Sequence, residues 1–122
     1  SFLRESIFTL NELKSGVSDF HLIFLFKLSE YLGFRPQNNF SDEFAFFSPA
    51  DGLFKNVRKN NYPDKELSKS ISEILKCSYS DDLNLNREKR QNILTSLIDF
   101  YNYHLHNIQG INSKEYFREL FD

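Results

Sequence analysis

Apolar residues recur at helical spacing in the first third of the chain, and the pattern predicts two helices there. The first covers about residues 1–14. Gly16 followed by Ser18 separates it from the second, because glycine commonly ends helices and serine commonly caps their N-termini. The second runs from Phe20 to Leu32 with apolar residues around nearly its whole circumference, a pattern typical of a central helix packed on several sides.

Residues 37–64 change character, because asparagine-rich loops flank two short aromatic runs on either side of a Pro-Ala-Asp-Gly turn. Short aromatic runs around such a turn predict a small β-hairpin. Gly33 is placed to end the preceding helix in the left-handed conformation, and Pro36 prevents its continuation. The hairpin is therefore predicted to be inserted directly after the central helix.

Three further helices are predicted in the second half of the chain. One begins near Pro63 or Asp64, where proline is tolerated in the first turn, another is capped by Asn86, and a last short helix is capped by Ser113. Their predicted apolar faces are Leu67, Ile71, Ile74 and Leu75, then Leu94, Leu97, Ile98, Tyr101 and Leu105, then Tyr116, Phe117, Leu120 and Phe121. The fold class predicted for residues 1–122 is mainly α, a single helical domain of about five helices with a small inserted β-hairpin.

Composition supports one well-packed core and narrows the environment of the protein. Fourteen Phe and six Tyr supply ample apolar area, and a net charge of −2 excludes a strongly basic field over the whole domain. The single cysteine, Cys77, excludes an internal disulfide and predicts a reducing, cytoplasmic location. The longest fully apolar run, residues 22–26, is far shorter than the roughly 20 residues that span a bilayer, so no membrane segment is predicted. Because methionine is absent, we expect a piece of a longer protein.

No catalytic or metal-binding motif is recognisable. His104 and His106 are two residues apart and would point away from each other on a helix, and the four glycines form no phosphate-binding loop. The adjacent acids Asp81 and Asp82, like Asp42 and Glu43, are of the kind that hold magnesium in nucleases, but such pairs are more often solvated. We therefore predict no enzymatic activity, no catalytic residue, no metal and no cofactor, with a metal-dependent nuclease kept as an alternative.

Two basic clusters are more informative. The segment LFKNVRKNNYPDK places cations beside aromatic residues that we expect to be exposed, which suits a phosphate backbone or an acidic peptide with an apolar end. The alternative is an ordinary solvated loop. A second cluster stands at the start of the helix capped by Asn86, where its charges oppose the helix dipole and are candidates for contact with DNA. The first cluster comprises Phe54, Lys55, Arg58, Lys59 and Tyr62, and the second comprises Arg87, Lys89 and Arg90.

Four segments taken in order resemble the C-terminal domain of the bacterial recombination and DNA repair protein RecO, in the form found in Bacteroidetes: FHLIFLFKLSEYLGFRPQNN, FFSPADGLF, RQNILTSLIDFYNYHL and NSKEYFRELF. The resemblance covers nearly the whole chain, from FLRES to ELF. Its strongest piece is a helix ending in L-S-x-Y-L-G-F-x-P, and a second piece reads R-x-x-I-L-x-x-L-I-x-x-Y-x-x-H-L. These correspond to Leu28, Ser29, Tyr31, Leu32, Gly33, Phe34 and Pro36, and to the stretch from Arg90 to Leu105.

The resemblance implies a non-enzymatic mediator of DNA repair and recombination. RecO proteins have an N-terminal OB-fold, absent here, and they act with RecR to load RecA on single-stranded DNA covered by single-strand binding protein. In the family the helical domain binds the acidic, phenylalanine-ended tail of the single-strand binding protein. The implied partners are that tail and RecR, with single-stranded DNA bound mainly by the full-length protein. The expected partner-binding residues are Arg35, Phe54, Lys55, Arg58, Lys59 and Tyr62.

One departure from the family concerns zinc. Many RecO proteins carry a four-cysteine zinc module after the helix that corresponds to residues 20–33, whereas this chain has FSDEFAFFSPADGLF there and no cysteine. We therefore expect aromatic packing in the hairpin to replace the metal. The alternative function is an architectural helical domain that only buttresses an N-terminal OB-fold, with the helix over residues 1–14 as the seam.

Overall fold

A computed structural model describes residues 18–78 and 83–109, with side chains in the second range as far as Leu105. The described part is mainly helical with one two-stranded antiparallel sheet, so the predicted fold class is confirmed. The helices predicted over residues 1–14 and after Ser113 lie outside the described residues. The elements are α1 (Asp19–Tyr31), β1 (Phe46–Ser48), β2 (Leu53–Lys55), α2 (Lys65–Lys76) and α3 (Arg87–Gln109).

The ends of α1 follow the predicted local chemistry. Ser18 is the N-cap, and its hydroxyl accepts the amide hydrogen of His21 while the His21 ring accepts that of Ser18, a reciprocal capping box. At the other end Gly33 has a φ of +92°, the left-handed region that favours glycine. The amide of Phe34 donates to the Ser29 carbonyl and that of Gly33 to the Glu30 carbonyl, the two bonds of a Schellman cap. Both predicted ends of the helix are confirmed.

The predicted hairpin is also confirmed. β1 and β2 pair with Phe46 opposite Lys55 and Ser48 opposite Leu53, and the Pro-Ala-Asp-Gly turn joins them. Gly52 has a φ of +66°, and its amide donates to the Ser48 carbonyl at 2.8 Å, which closes the turn. A Cβ atom at Gly52 would lie only 3.3 Å from the Phe100 ring, so this glycine also permits close packing of the turn on α3.

Side chains cap the N-termini of the other two helices where the sequence predicted. The Asp64 carboxylate accepts the amide hydrogen of Leu67 at 2.8 Å, and the Asn86 side-chain oxygen accepts that of Lys89 at 2.8 Å. Both residues satisfy an amide that has no partner within its own helix. α2 therefore begins directly after Asp64 and α3 directly after Asn86.

The three helices run in the same direction, with their N-termini at one end of the domain. At that end Arg90 of α3 lies 3.8 Å from the Asp19 carboxylate of α1, and Lys89 lies 2.8 Å from the Glu66 carboxylate of α2. Further along, the buried hydroxyl of Tyr101 on α3 donates to a backbone carbonyl in the middle of α1, that of Leu25. A buried phenol satisfied in this way fixes the register of the two helices.

The core is built from the inner faces of all five elements, but α1 is less enclosed than its sequence predicts. Phe20 is 53% exposed and Tyr31 is 81% exposed, so the prediction that apolar residues pack all around this helix is wrong at these positions. They stand eleven residues apart, which is close to three helical turns, and therefore lie on one face directed away from α2 and α3. The fully buried large residues include Leu22, Ile23, Phe47, Phe54, Ile71, Ile74, Ile93, Leu97, Phe100 and Tyr101.

The connector between α1 and β1, residues 34–40, and helix α2 cover the two outer edges of the hairpin. The Asn39 side chain accepts the amide hydrogen of Phe54 at 2.8 Å and donates to its carbonyl at 2.9 Å, and so covers the outer edge of β2. The outer edge of β1 is covered by Ser68 of α2, whose hydroxyl accepts the amide hydrogen of Phe47. Since strand edges expose unpaired backbone groups, side chains here complete a two-stranded sheet.

Asn38 and Arg35 fasten the same connector to α2. The Asn38 side chain donates to the Ser72 carbonyl and accepts from the Ser72 hydroxyl, while the Arg35 guanidinium donates to the Leu75 carbonyl near the C-terminus of the helix. A cation there is favourable because the carbonyl end of a helix carries partial negative charge. Among the helices within residues 18–78 and 83–109, none is long and apolar enough to cross a membrane.

Candidate partner-binding surface

The two faces of the hairpin differ sharply in burial. Phe47 and Phe54 form a cross-strand pair on the inner face and are fully buried against the helices. Phe46, Leu53 and Lys55 lie on the opposite face, because side chains alternate along a strand, and all three are partly exposed, whereas Ser48, opposite Leu53 on that face, is buried. We call these three residues the outer hairpin face. It combines two apolar side chains with one ammonium group.

The loop that follows β2, residues 56–62, adds further cations beside this face, and we call it the basic loop. Arg58 donates through Nε to the Tyr62 carbonyl at 3.2 Å, and the Tyr62 amide donates to the Lys59 carbonyl at 3.0 Å, so the loop has a defined turn. From Asp51 to Tyr62 the chain carries three cations and one carboxylate, an excess of two positive charges. The basic loop is therefore suited to an anionic group.

The aromatic residues predicted for this surface are buried. Phe54 has no exposed surface and Tyr62 is 6% exposed, so the expectation that they are exposed beside the cations is wrong. Phe54 is on the inner face by strand alternation, and Tyr62 anchors the loop to the domain. The accessible apolar residues are instead Phe46 and Leu53 on the outer hairpin face, and Val57, which is 63% exposed.

The alternation of β2 contained the signal that identifies these residues. Side chains of neighbouring residues in a strand point to opposite faces. If Phe54, the central residue of β2, faces the core, then Leu53 and Lys55 must both point outward. That Phe46 lies opposite Lys55 could not be predicted in the same way. It depends on the register of the two strands, which is known only when the length of the turn is known.

A carboxylate of the chain itself pairs with one of the cations of this basic surface. Asp51 Oδ2 lies 3.2 Å from the Lys55 ammonium and accepts a hydrogen bond from the Ser48 hydroxyl at 3.0 Å. These two contacts, with a smaller contribution from the charge of Lys59, hold the pKa of Asp51 below its usual value. The surface therefore binds a carboxylate in the free domain.

Arg35 does not join this surface. Its guanidinium donates to the Leu75 carbonyl and also contacts the Glu30 carboxylate at 3.2 Å. Leu75 is ten residues beyond the start of α2, about 15 Å along the helix axis, whereas the basic loop precedes that start. The structure therefore separates Arg35 from Lys55, Arg58 and Lys59, and shows it fastening α1 to α2.

The second basic cluster, at the N-terminus of α3, is largely neutralised. Lys89 pairs with Glu66 and its pKa is raised by that contact, and Arg90 faces Asp19 and donates to the Leu85 carbonyl. Arg87 is exposed. With Glu88 in the same turn, the cations of this end are balanced by an equal number of acids, so its field is weaker than that of the basic loop.

His104 lies at the margin of the core, as predicted. Its ring stacks on Phe34 at a centroid distance of 5.8 Å, and its Nε2 lies 3.1 Å from the Pro49 carbonyl in the hairpin turn. Burial lowers the pKa of His104, with the Pro49 carbonyl and Asp51 acting in the opposite direction. Within the described ranges no three histidine, cysteine or acidic side chains are grouped so as to hold a metal ion.

Comparison with characterised proteins connects the chain to DNA repair. It is 25% identical over 126 residues to the DNA repair protein RecO of Azobacteroides pseudotrichonymphae and 28% identical over 129 residues to that of Bacteroides fragilis, in both cases over 100% of this chain and 52% of the relative. It is 32% identical over 108 residues to the RecO of Flavobacterium psychrophilum, over 86% of this chain and 44% of the relative. No family model and no solved structure matches the sequence.

The chain spans about half the length of the curated relatives it matches. The similarity extends over the whole chain and therefore over all four segments that carried the resemblance in the sequence. The chain is thus similar over its whole length to RecO proteins of the Bacteroidetes, and the resemblance predicted from its residues is confirmed.

Proposed function

We propose that the chain is the C-terminal, non-enzymatic interaction domain of a RecO-type mediator of DNA repair and recombination. In this role it helps to load RecA on single-stranded DNA by binding single-strand binding protein and RecR. The observation that carries the proposal is the similarity to RecO proteins over the whole chain. The described residues contribute a surface whose chemistry suits an acidic peptide with an apolar end.

That surface is the outer hairpin face together with the basic loop. Lys55, Arg58 and Lys59 would contact the carboxylates of the peptide, while Phe46 and Leu53 would receive its terminal apolar side chain. Charged and apolar contacts placed side by side confer selectivity for a peptide that carries both features, because each alone is a weak contribution on an exposed surface.

The test is fluorescence anisotropy with a labelled acidic peptide ending in phenylalanine, titrated with the 122-residue chain. We expect micromolar binding that is lost when the terminal phenylalanine is replaced by alanine. Lys59→Glu should weaken binding at least fivefold, because it replaces attraction by repulsion at an exposed residue that contributes only its backbone carbonyl to the hydrogen bonds of the loop. Lys59 is preferable to Arg58, whose Nε also holds the loop through the Tyr62 carbonyl.

Arg87→Glu is the matched charge reversal. Arg87 is exposed at the first residue of α3 and belongs neither to the outer hairpin face nor to the basic loop. The peptide should bind this variant as it binds the unmodified chain, whereas single-stranded DNA should bind it less tightly if Arg87 contacts phosphate. Equal peptide affinity of the Lys59→Glu variant and the unmodified chain would contradict the assignment of the site.

The architectural alternative is supported by a different face of the domain. Phe20 and Tyr31 are exposed on one side of α1, and an exposed apolar stripe is suited to packing against a neighbouring domain. A domain with only this role binds neither the acidic peptide nor single-stranded DNA, so absence of both activities in the anisotropy titration would favour it.

A further inference from the structure

The Asp51 carboxylate pairs with Lys55, one of the cations proposed to contact the carboxylates of the peptide. It is 3.2 Å from Lys55, and Ser48 fixes its orientation twice, since the Ser48 hydroxyl donates to Asp51 Oδ2 and accepts the amide hydrogen of Asp51 at 3.2 Å. The Lys55 side chain is 43% exposed and that of Asp51 is 48% exposed. The pair is therefore reachable by a competing anion.

The ion pair between Asp51 and Lys55 is placed beside an apolar residue, Leu53. Leu53 stands between Asp51 and Lys55 in sequence, and its side chain is on the same face as Lys55 because the two residues are two apart in β2. Ser48 is opposite Leu53 in the register, so its bond to Asp51 brings the carboxylate over the same face. The ion pair thus lies across Leu53 and beside Phe46.

We propose that Asp51 is an internal competitor that occupies Lys55 in the free domain and so sets which peptides can bind to the outer hairpin face. The inference rests on the proposed function, because it identifies the ligand chemistry of that same surface. A single carboxylate gains little by replacing Asp51, since one ion pair is exchanged for another. A peptide with several carboxylates and an apolar end gains the additional contacts with Lys59 and Leu53.

Removal of the competing charge tests the inference. Asp51→Asn keeps the shape of the side chain and an oxygen that accepts from Ser48, but leaves Lys55 without its carboxylate. We expect the labelled acidic peptide to bind this variant about threefold to fivefold more tightly at about 20 mM salt, the effect of one exposed ion pair. At about 0.5 M salt the gain should fall below about twofold, because exposed charges are then screened.

Glu88→Gln is the matched control for the change in net charge. Glu88 is twelve residues before Phe100 on α3, about 18 Å along the helix from the point where the hairpin turn packs. The two variants are compared at about 0.15 M salt, where the screening length is about 8 Å and this distance exceeds it, so Glu88→Gln should change peptide affinity by less than about 1.5-fold. The double variant, Asp51→Asn with Lys55→Ala, is compared with Lys55→Ala alone. In this background Asp51→Asn should raise peptide affinity little, because the gain acts through Lys55.

The outcomes separate this inference from the function on which it rests. Peptide binding by the unmodified chain, with equal affinity for Asp51→Asn, overturns the role of Asp51 and leaves the proposed function in place. A gain in affinity that persists when Lys55 is replaced by alanine also overturns it. Absence of binding to both the unmodified chain and Asp51→Asn overturns the proposed function and this inference together.

Discussion

Asn39→Ala is expected to destabilise the domain far more than the loss of a loop side chain ordinarily does. The Asn39 amide satisfies both the N–H and the carbonyl of Phe54, at 2.8 and 2.9 Å, and Phe54 is fully buried. A buried polar group left without a partner costs about 1–3 kcal/mol, and water can enter only in part because Asn39 is itself half-buried. The two groups together should therefore cost about 2–4 kcal/mol.

Urea unfolding followed by circular dichroism measures this loss of free energy of unfolding directly. In thermal unfolding the entropy change for a chain of this length is about 0.26 kcal/mol per kelvin, so the melting temperature should fall by about 8–15 °C. Asn56→Ala is the control, because it makes the same deletion at an exposed residue and should change stability by less than about 0.5 kcal/mol. If Asn39→Ala matches this control and the Phe54 amide keeps its protection from hydrogen exchange, the account of the β2 edge is wrong.

Two further predictions concern the contact between the hairpin turn and α3. Gly52→Ala should lower the free energy of unfolding in urea by about 1–2 kcal/mol more than Gly33→Ala does. Both glycines have a positive φ, but only at Gly52 would the new Cβ meet Phe100 and His104. Equal losses for the two variants would contradict the packing argument. Because the pKa of His104 is lowered on folding, the unfolded state binds the proton more readily, and stability should fall as pH drops below about 6.5. This part of the pH dependence should be missing from His104→Gln. Identical pH profiles of stability for the two proteins would refute this role of His104.

The helices and the hairpin could be predicted because their ends are specified locally. Ser18, Asp64 and Asn86 each cap the helix that follows, and Gly33 has the positive φ that its position predicted. In each case the residue that ends an element bonds within a few residues of itself. Such signals need no knowledge of the tertiary structure.

The surface was harder to predict because exposure depends on contacts distant in sequence. Phe54 and Tyr62 stand among cations in the sequence, yet one packs in the core under Phe40 and the other anchors a loop. Arg35 was grouped with the basic loop by charge alone, whereas its partner Leu75 is forty residues away. Conversely, Phe20 was expected in the core because local periodicity does not show which side of a central helix is left uncovered.

The structural role of the connector explains why the strongest motif of the resemblance has no catalytic character. Phe34 packs against Phe100, Tyr101 and His104, and Pro36 is buried where the chain turns from α1 toward the hairpin. The residues that follow bond to α2 and to β2. The motif therefore fixes the position of the hairpin, and with it the outer hairpin face.

The most direct test of the central claim is to locate the bound peptide by NMR. The unlabelled acidic peptide ending in phenylalanine is added to the ¹⁵N-labelled chain, and changes in amide chemical shift are followed residue by residue. The account predicts that the largest changes fall on Phe46, Leu53, Lys55 and the basic loop. Changes confined to the first turn of α3, around Arg87, would contradict it.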